Sequence, residues 1–210
     1  MKSESYRTLI LADGDFPQRE SLLDMLRNAG QIICCDGAAD KLLEFGLMPA
    51  AVVGDLDSIS ARSREICADV LVHEFEQETN DLAKAFRYCR EKGLTVDAVL
   101  GAAGGREDHL LGNLAQFAEF AAIFPGMRFF TETGYFVVCI GSASFSGVEP
   151  GSAVSFIPLD PRQRLTATGV KYAFENRSFP LWYAGTLNSV AADTVTLTTD
   201  SDSPVLCFFS

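Results

Sequence analysis

Acidic residues follow the apolar segments of the N-terminal half at the points where those segments end. The most compact example is 51–58, where an apolar run stops at Gly54 and is followed by Asp55 and Asp57. Two carboxylates in one loop can hold a hard divalent cation through their oxygens, and the cation can hold a polyphosphate. Asp and Ser are also ordinary turn residues, so this stretch alone is equally consistent with a solvated turn.

The same pattern recurs at four other places, namely Asp13–Asp15, Asp36, Gln77–Lys84 and Gly101–His109. In an open α/β sheet, ligands bind beyond the carboxyl ends of the strands. Five acidic loops in register along one sheet edge are hard to explain by turn preference alone. The set therefore predicts a ligand site at that edge.

The last of these loops points to phosphate chemistry. Three glycines let its backbone approach a ligand closely: Gly101, Gly104 and Gly105. A helix predicted to begin near Glu107 would present free amides to a phosphate, and the guanidinium of Arg106 can clamp phosphate oxygens. The spacing is neither that of a Walker loop nor that of a dinucleotide fingerprint.

Two parts of this set allow structural as well as functional interpretations. Asp81 and Lys84 lie three residues apart on a predicted helix and share a face. They would form a simple surface ion pair, or Asp81 would complete the metal site from the helix start. His109 would be a base, a ligand or a satisfied core histidine, and the core role is the commonest of the three.

The elements that must position these loops alternate between strand and helix. Apolar runs predict strands at 7–12, 31–35, 51–54, 69–73 and 96–100. Periodic segments predict helices at 18–29, 38–45, 60–67, 80–92 and 107–124. This alternation predicts a mostly parallel sheet with helices on both faces, without fixing the strand order.

Helical periodicity disappears after Gly126. Short β-rich runs follow at 127–131, 135–140, 153–158, 165–169, 194–199 and 204–209. Such runs predict a sandwich or barrel. We therefore expect an α/β fold class with two domains: a mostly parallel α/β domain over residues 1–128 and an all-β sandwich over residues 129–210.

Composition narrows the classes of partner. A formal net charge of -11 argues against nucleic acid, which requires a basic face. No apolar run approaches the roughly 20 residues of a membrane span. Met1–Thr8 lacks the apolar core of a signal peptide, so we expect a cytoplasmic protein. The six cysteines contain no Cys-x-x-Cys pair and do not suggest a disulfide framework.

Four motifs in order resemble the thiamine pyrophosphokinase family: Asp36-Gly-Ala, Gly54-Asp-Leu-Asp-Ser58, Gln77-x-x-x-Asp81-x-x-Lys84, and Gly104-Gly-Arg-x-Asp-His109 followed by Asn113. The resemblance spans about residues 9–209 and is strongest over 36–113. It implies an α/β domain that binds ATP and Mg²⁺, then a β-sandwich domain for thiamine binding and dimerisation. It also implies a homodimer with active sites between subunits, in which the thiamine hydroxyl attacks the β-phosphorus of ATP to give thiamine diphosphate and AMP.

The resemblance also implies roles for individual residues. Those that would hold magnesium are Asp55, Asp57 and Asp81. Those that would bind ATP are Asp36, Gln77, Lys84, Gly104, Gly105, Arg106 and His109. Those that would act in catalysis are Asp57, Asp81, Arg106 and Asp108. Either Asp81 or Asp108 would accept the hydroxyl proton.

The C-terminal half departs further from the family pattern. Tyr172 stands where the family has an aromatic residue that stacks on thiamine, and a cation over an aromatic face is physically sensible. A tyrosine packed on the sandwich surface is the alternative. The implied thiamine contacts are Tyr172, Asn188 and Ser189, but Leu187 replaces the family serine before the asparagine.

Two other functions stay open at this point. One is a pyrophosphokinase of the same architecture that acts on another alcohol, such as a hydroxymethylpterin. The other is a non-catalytic regulator that binds thiamine or a nucleotide, although a pure sensor does not need all the carboxylates.

Overall fold

A computed structural model describes residues 6–210, which divide into two compact units between Glu132 and Thr133. Residues 1–5, which hold most of the polar N-terminal stretch, lie outside the described part. The strand Arg128–Thr131 belongs to the first unit, beyond the boundary expected at 128/129, because it pairs in parallel with the strand Ala98–Leu100. Within 6–210, no helix is both long and apolar enough to cross a membrane.

The first unit alternates strands and helices as expected. Its strands are β1 (Thr8–Leu11), β2 (Gln31–Cys35), β3 (Ala51–Gly54), β4 (Leu71–His73), β5 (Ala98–Leu100) and β6 (Arg128–Thr131). Its helices are α1 (Glu20–Arg27), α2 (Ala38–Glu44), α3 (Ala61–Ile66), α4 (Asp81–Glu91) and α5 (Glu107–Phe120). The strands pair in the order β6-β5-β1-β2-β3-β4, and every pair is parallel.

This strand order places the acidic loops together. The chain steps from β1 to β4 in one direction and then returns to the other side of β1 for β5 and β6, so the topological switch lies between β1 and β5. Leu11 is level with Cys34 on one side and with Leu100 on the other. The loops after these parallel strands therefore leave from one edge of the sheet.

Helices cover both faces of this sheet because its strands are apolar on both sides. Leu9 and Leu11 belong to the same buried cluster as Leu22 and Leu26 of α1. On α4, the buried ring of Phe86 stacks on Phe120 of α5 with centroids 4.7 Å apart. The expected mostly parallel sheet between helices is confirmed.

Several elements are shorter than expected, including β4 and α5. β4 contains only Leu71–His73, because Ala68–Val70 forms a tight turn in which the Val70 N–H donates to the Cys67 carbonyl at 2.8 Å. α5 ends at Phe120, and turns lead from there to Pro125-Gly126.

The second unit is a sandwich of antiparallel strands, as expected. The strands are β7 (Gly134–Cys139), β8 (Ser142–Ser146), β9 (Ala153–Pro158), β10 (Arg164–Thr168), β11 (Phe174–Ser178), β12 (Asn188–Ser189), β13 (Thr194–Thr199) and β14 (Val205–Phe209). They pair in the orders β12-β9-β14-β7 and β11-β10-β13-β8. Phe156 and Phe209 from the first group pack with Leu165 and Val195 from the second in one buried cluster.

Sequence reasoning missed β8, β11 and β12. Each stands at the end of its pairing order, and β8 and β11 are rich in polar residues with exposed side chains. Edge strands of this kind have one weakly apolar face, so they give little of the alternation that identifies a strand.

Candidate active site

Three aspartates converge at the carboxyl ends of β2 and β3. Carboxylate oxygens of Asp36, Asp55 and Asp57 all lie within 4.8 Å of one another. Asp36 is buried, Asp55 is half-buried and Asp57 is exposed. We call this group, together with Asp81, the carboxylate cluster. Like charges so close repel one another, so the arrangement favours a bound cation.

Asp36 holds the loop that carries the other two. Its carboxylate accepts hydrogen bonds from the backbone N–H groups of Ser58 at 3.1 Å and Ile59 at 2.9 Å. Burial raises the pKa of Asp36, while these two N–H donors oppose the shift. Because both oxygens are engaged by backbone, Asp36 orients the 55–59 loop.

Leu56 fixes the same loop from within. Leu56 stands between the two aspartates in the sequence, and its side chain is buried. Its φ of 64° lies in the left-handed region, which is unfavourable for a bulky side chain. Its carbonyl accepts a hydrogen bond from Arg64. Burying Leu56 leaves Asp57 exposed, and such strain is commonly retained at functional sites.

Asp81 reaches the cluster from the first turn of α4. Gly54 permits this, because a Cβ there would stand 3.1 Å from Oδ1 of Asp81 and 3.0 Å from Cβ of Asp36. Asn80 caps the helix, its Oδ1 accepting from the Ala83 N–H at 3.1 Å. Burial raises the pKa of Asp81, and Lys84 opposes this shift.

Lys84 lies beneath the cluster. Its Nζ stands 3.0 Å from Oδ1 of Asp81, and only 2% of its side chain is exposed. Burial disfavours the ammonium form, but the hydrogen bond and charge of Asp81 outweigh it and raise the pKa of Lys84. The surface ion pair that spacing allowed is therefore wrong for the lysine. A side chain this buried is poorly placed for the direct ATP contact that the family resemblance implied.

Gln77 joins the cluster from the loop before α4. Its Nε2 donates to Oδ2 of Asp55 at 3.1 Å, and this bond lowers the pKa of Asp55. The loop itself is held by Glu76, which accepts from the Thr79 N–H at 2.8 Å and pairs with Arg87 at 2.8 Å. Of the ATP-binding residues implied by resemblance, Asp36 thus belongs to the cluster, and Gln77 and Lys84 contact it directly.

The glycine-rich loop packs against the loop after β1. The Gly14 N–H donates to the Gly101 carbonyl at 2.7 Å, and the Asp15 N–H donates to the Ala103 carbonyl at 2.9 Å. A Cβ on Gly104 would stand 2.2 Å from the Asp15 carboxylate. Close approach to a protein neighbour, rather than to a ligand, thus accounts for Gly101 and Gly104.

Gly105 differs from these glycines. It has a φ of 70°, and a Cβ there would meet nothing within 4 Å. Its backbone therefore faces open space, where a ligand could approach it. Asp13, in the neighbouring loop, forms an ion pair with Lys41, whose Nζ lies 2.8 Å from Asp13 Oδ1.

Arg106 and Asp108 form an exposed pair beside this loop. Two hydrogen bonds of 3.0 and 2.6 Å join them, and Arg106 lowers the pKa of Asp108. In the part of the chain that the structure describes, no hydrogen bond or ion pair links this pair to the carboxylate cluster. His109 is exposed too, so the interpretation of a satisfied core histidine is wrong.

The second unit contains a pocket of about 180 Å³ that includes two of the three implied thiamine contacts. Its lining comprises Tyr172, Phe174, Arg177, Phe179, Ala184, Gly185, Thr186, Leu187 and Asn188. Tyr172 is 62% exposed, so it does not pack into the sandwich surface. Ser189 does not line the pocket and instead pairs with Ala153 across β9.

Asn188 positions Tyr172. Its side-chain amide accepts from the Tyr172 N–H at 3.0 Å and donates to the Tyr172 carbonyl at 2.9 Å. Leu187 beside it is 90% exposed and has a φ of 63°. Sequence reasoning missed Phe174, Arg177 and Phe179. Gly185 is the one lining residue whose type marks a close approach, because a Cβ there would stand 1.9 Å from the Phe156 carbonyl oxygen. That neighbour is distant in sequence, so the sequence alone does not reveal the contact.

Comparison with known proteins gives matches over both units. A family model described as "Thiamin pyrophosphokinase, catalytic domain" matches residues 22–129, and one described as "Thiamin pyrophosphokinase, substrate-binding domain" matches residues 134–207. The chain is 30% identical over 147 residues to thiamine pyrophosphokinase of Bacillus subtilis (strain 168), covering 67% of this chain and 69% of that protein. It is 28% identical over 203 residues to thiamine pyrophosphokinase 1 of Oryza sativa subsp. japonica, covering 81% and 75%.

Solved structures share the fold. The crystal structure of thiamine pyrophosphokinase from Bacillus subtilis superposes with a TM-score of 0.78 at 22% identity, covering 97% of this chain and 99% of that one. Thiamin pyrophosphokinase from Candida albicans gives a TM-score of 0.74 at 16% identity, covering 100% and 94%. At these identities the likeness concerns the arrangement of strands and helices.

Proposed function

This chain belongs to the thiamin pyrophosphokinase family, and we propose that it transfers pyrophosphate from ATP to the hydroxyl of thiamine. The enzyme is thus a thiamine diphosphokinase, and its products are thiamine diphosphate and AMP. In the reaction, the thiamine oxygen bonds to the β-phosphorus of ATP. The bond from that phosphorus to the α–β bridging oxygen breaks, and AMP leaves with the bridging oxygen.

One observation carries this proposal: four aspartates from two strand ends and one helix start gather at a single sheet edge. Transfer of a phosphoryl-type group depends mainly on positioning and charge neutralisation. A cation held by several carboxylates serves both needs, because it binds the phosphates in place and neutralises their charge.

The donor set fits magnesium. Asp55, Asp57 and Asp81 offer the hard oxygen ligands that Mg²⁺ prefers, and each is at least partly exposed. Mg²⁺ held by these three would neutralise charge on the ATP phosphates and on the departing AMP oxygen. Asp36, with both oxygens on backbone N–H groups, would orient the loop.

The remaining residues of the first unit have tasks suited to their exposure. Arg106 is exposed beside Gly105, and its guanidinium would exchange Asp108 for ATP phosphate oxygens. Asp108, released in that exchange, would accept the proton of the thiamine hydroxyl. Asp81 is less suited to this step because Lys84 and the cation compete for its oxygens. His109 and Gln77 would contact the nucleotide at the rim of the cluster.

Thiamine would bind at the pocket of the second unit. The exposed ring of Tyr172 offers a face for the cationic rings of thiamine, and Asn188 keeps that tyrosine in place. Ser189 would act through the backbone pairing that holds Asn188. The proposal assigns the first unit to ATP and magnesium and the second unit to thiamine and dimerisation, with the boundary between Glu132 and Thr133 in place of the expected 128/129.

The proposed enzyme is a homodimer whose active sites are shared between subunits. The exposed apolar side chains Leu181, Trp182 and Tyr183 of the second unit support an interface there. Mixing Asp57→Asn protein with Tyr172→Ala protein tests the sharing. At thiamine concentrations well below the KM of the Tyr172→Ala protein, hybrid dimers would regain one intact site and exceed both components in activity, whereas unshared sites would leave the mixture at the average of its components.

The proposed compartment is the cytoplasm. All six cysteines are buried and unbridged, which suits a reducing environment. Fractionation of cells that produce the tagged full-length chain, with a cytosolic marker in parallel, tests this assignment.

The experiment for the activity is product analysis. Purified protein with ATP, Mg²⁺ and thiamine is expected to release AMP and thiamine diphosphate in equal amounts. Release of ADP would contradict pyrophosphate transfer. Turnover with a hydroxymethylpterin but not with thiamine would reassign the acceptor, and binding without turnover would identify a regulator.

A further inference from the structure

Two asparagine side chains connect the start of α4 with the glycine-rich loop. Asn80 Nδ2 donates to Asn113 Oδ1 at 2.9 Å, and Asn113 Nδ2 donates to the carbonyl of Ala102 at 2.9 Å. The Asn80 Oδ1 accepts from the backbone N–H of Ala83 at 3.1 Å. These contacts form one continuous chain of hydrogen bonds from helix to loop.

The donor and acceptor roles in this series of hydrogen bonds are fixed at both of its ends. A backbone N–H can only donate and a backbone carbonyl can only accept, so each amide has a single orientation that satisfies its neighbours. Among residues 6–210, no other side-chain hydrogen bond joins the segment 76–84 to the segment 101–108. These two side chains are therefore the direct side-chain link between the loop and α4, while backbone hydrogen bonds to the loop after β1 hold its other side.

Both ends of the chain carry residues of the proposed reaction. Asn80 immediately precedes Asp81 of the carboxylate cluster, and Ala102 lies in the loop that leads to Arg106 and Asp108. Arg106 and Asp108 have no direct bond to the cluster within the described residues. Other contacts must therefore set the distance of Arg106 and Asp108 from the cluster. That distance matters, because a misplacement of about 1 Å can lower the rate about a hundredfold.

We propose that Asn80 and Asn113 act as a positioning relay that sets the glycine-rich loop, with Arg106 and Asp108, relative to the carboxylate cluster. The inference rests on the proposed pyrophosphate transfer for its kinetic consequences. Both asparagine side chains are engaged by protein groups, so the relay acts through the residues it positions. Ala102 is buried, which makes its carbonyl a firm anchor.

The helices themselves do not depend on the relay. Phe86, in the middle of α4, stacks on Phe120 at the end of α5 and on Phe124 beyond it, with centroids 4.7 and 6.0 Å apart, so the two helices stay packed without the relay. Variants at either asparagine should therefore fold. Asn80→Ser is the informative change, since serine keeps a helix cap but is too short to reach Asn113.

The test compares Asn80→Ser, Asn113→Ala and the double variant, with Asn28→Ala as a control at an exposed helix end of the same unit. Each single variant is expected to lose about tenfold or more in kcat/KM for ATP. The double variant should lose no more kcat/KM than the more impaired single variant, because the relay works only when both asparagines are present. The Mg²⁺ concentration for half activity should stay unchanged, since the cluster is intact.

Hydrogen exchange gives a readout without catalysis. Amides of residues 101–106 should exchange faster in both single variants and remain unchanged in Asn28→Ala. Single variants within twofold of the parent with unaltered exchange would overturn the relay. Multiplicative losses in the double variant, or a raised Mg²⁺ requirement, would overturn it too. An inactive parent protein would count against pyrophosphate transfer instead, and exchange would still decide on the relay.

Discussion

The ammonium group of Lys84 lies 3.0 Å from the carboxylate of Asp81 and is shielded from solvent, whereas that carboxylate is 30% exposed. The pair thus presents its negative partner to the site and keeps its positive partner below. A fixed positive charge beneath several carboxylates reduces their mutual repulsion, so they can gather before a cation binds. This arrangement suggests that Lys84 acts on the metal site and has little direct contact with nucleotide.

Lys84→Met should destabilise the fold and weaken magnesium binding. Removing the buried ammonium leaves Asp81 without its partner, at a cost of about 2 kcal/mol given that the aspartate is partly hydrated. Urea unfolding and the Mg²⁺ dependence of activity measure the two effects. The double variant Asp81→Asn with Lys84→Met should recover stability but not activity. A raised KM for ATP at saturating Mg²⁺, with unchanged stability, would support direct ATP contact instead.

Asp57→Asn should abolish most turnover without harming the fold. Asp57 is exposed, so its charge contributes little to stability, but the proposed magnesium site uses its oxygen as a ligand. We expect a loss of about 100-fold or more in kcat. The matched control is Asp69→Asn, an exposed aspartate in the turn before β4. Near-parental turnover in Asp57→Asn would remove Asp57 from the metal site.

Gly54→Ala tests the close approach of Asp36 and Asp81. The added methyl group would stand about 3 Å from both side chains and push one carboxylate away. We expect kcat to fall by about 100-fold with the fold retained. Gly112→Ala is the control: it lies in α5, where a Cβ meets open space, and should stabilise the protein by up to about 1 kcal/mol. Equal activity of both variants would show that the spacing at Gly54 is unimportant.

Tyr172→Ala should raise the KM for thiamine about tenfold and leave the KM for ATP unchanged. The ring is exposed in the pocket, so the substitution should not unfold the sandwich. Tyr172→Phe is the matched control, since it keeps the aromatic ring and should keep the KM for thiamine near the parental value. Thermal unfolding separates the possibilities: a strongly lowered Tm in Tyr172→Ala would make the tyrosine structural.

Leu187→Gly should stabilise the protein. Leucine at a φ of 63° carries a backbone penalty of about 1 kcal/mol or more that glycine does not. Because the side chain is almost fully exposed, little packing is lost in exchange. Differential scanning calorimetry should show a higher Tm. A lower Tm would mean that Leu187 makes contacts in solution, such as those of a dimer.

The approach of Asp36, Asp55 and Asp57 to one another could be predicted because its signals are local. Asp55 and Asp57 follow an apolar run, and a strand that ends there must present them at the sheet edge. The α/β unit and the sandwich could also be predicted, since the switch from helical to alternating periodicity near Gly126 is visible along the chain.

What could not be predicted depends on tertiary neighbours. Three-residue spacing on a helix places Asp81 and Lys84 on one face, but only the packing of α4 on β2 and β3 buries the lysine. Gly101 and Gly104 suggested a ligand, whereas their neighbours belong to the loop after β1, almost 90 residues away in the chain. Strand order had the same limit, because spacing does not show that β5 returns beside β1.

The fate of the β-phosphorus of ATP tests the central claim most directly. With ATP labelled at the β-phosphate, Mg²⁺ and thiamine, we predict that the label appears in thiamine diphosphate and that unlabelled AMP accumulates in equal amount. The Asp57→Asn protein, run in parallel, should form both products about 100-fold or more slowly. Label that remains in ADP, or thiamine that stays unmodified while ATP is consumed, would contradict pyrophosphate transfer at this site.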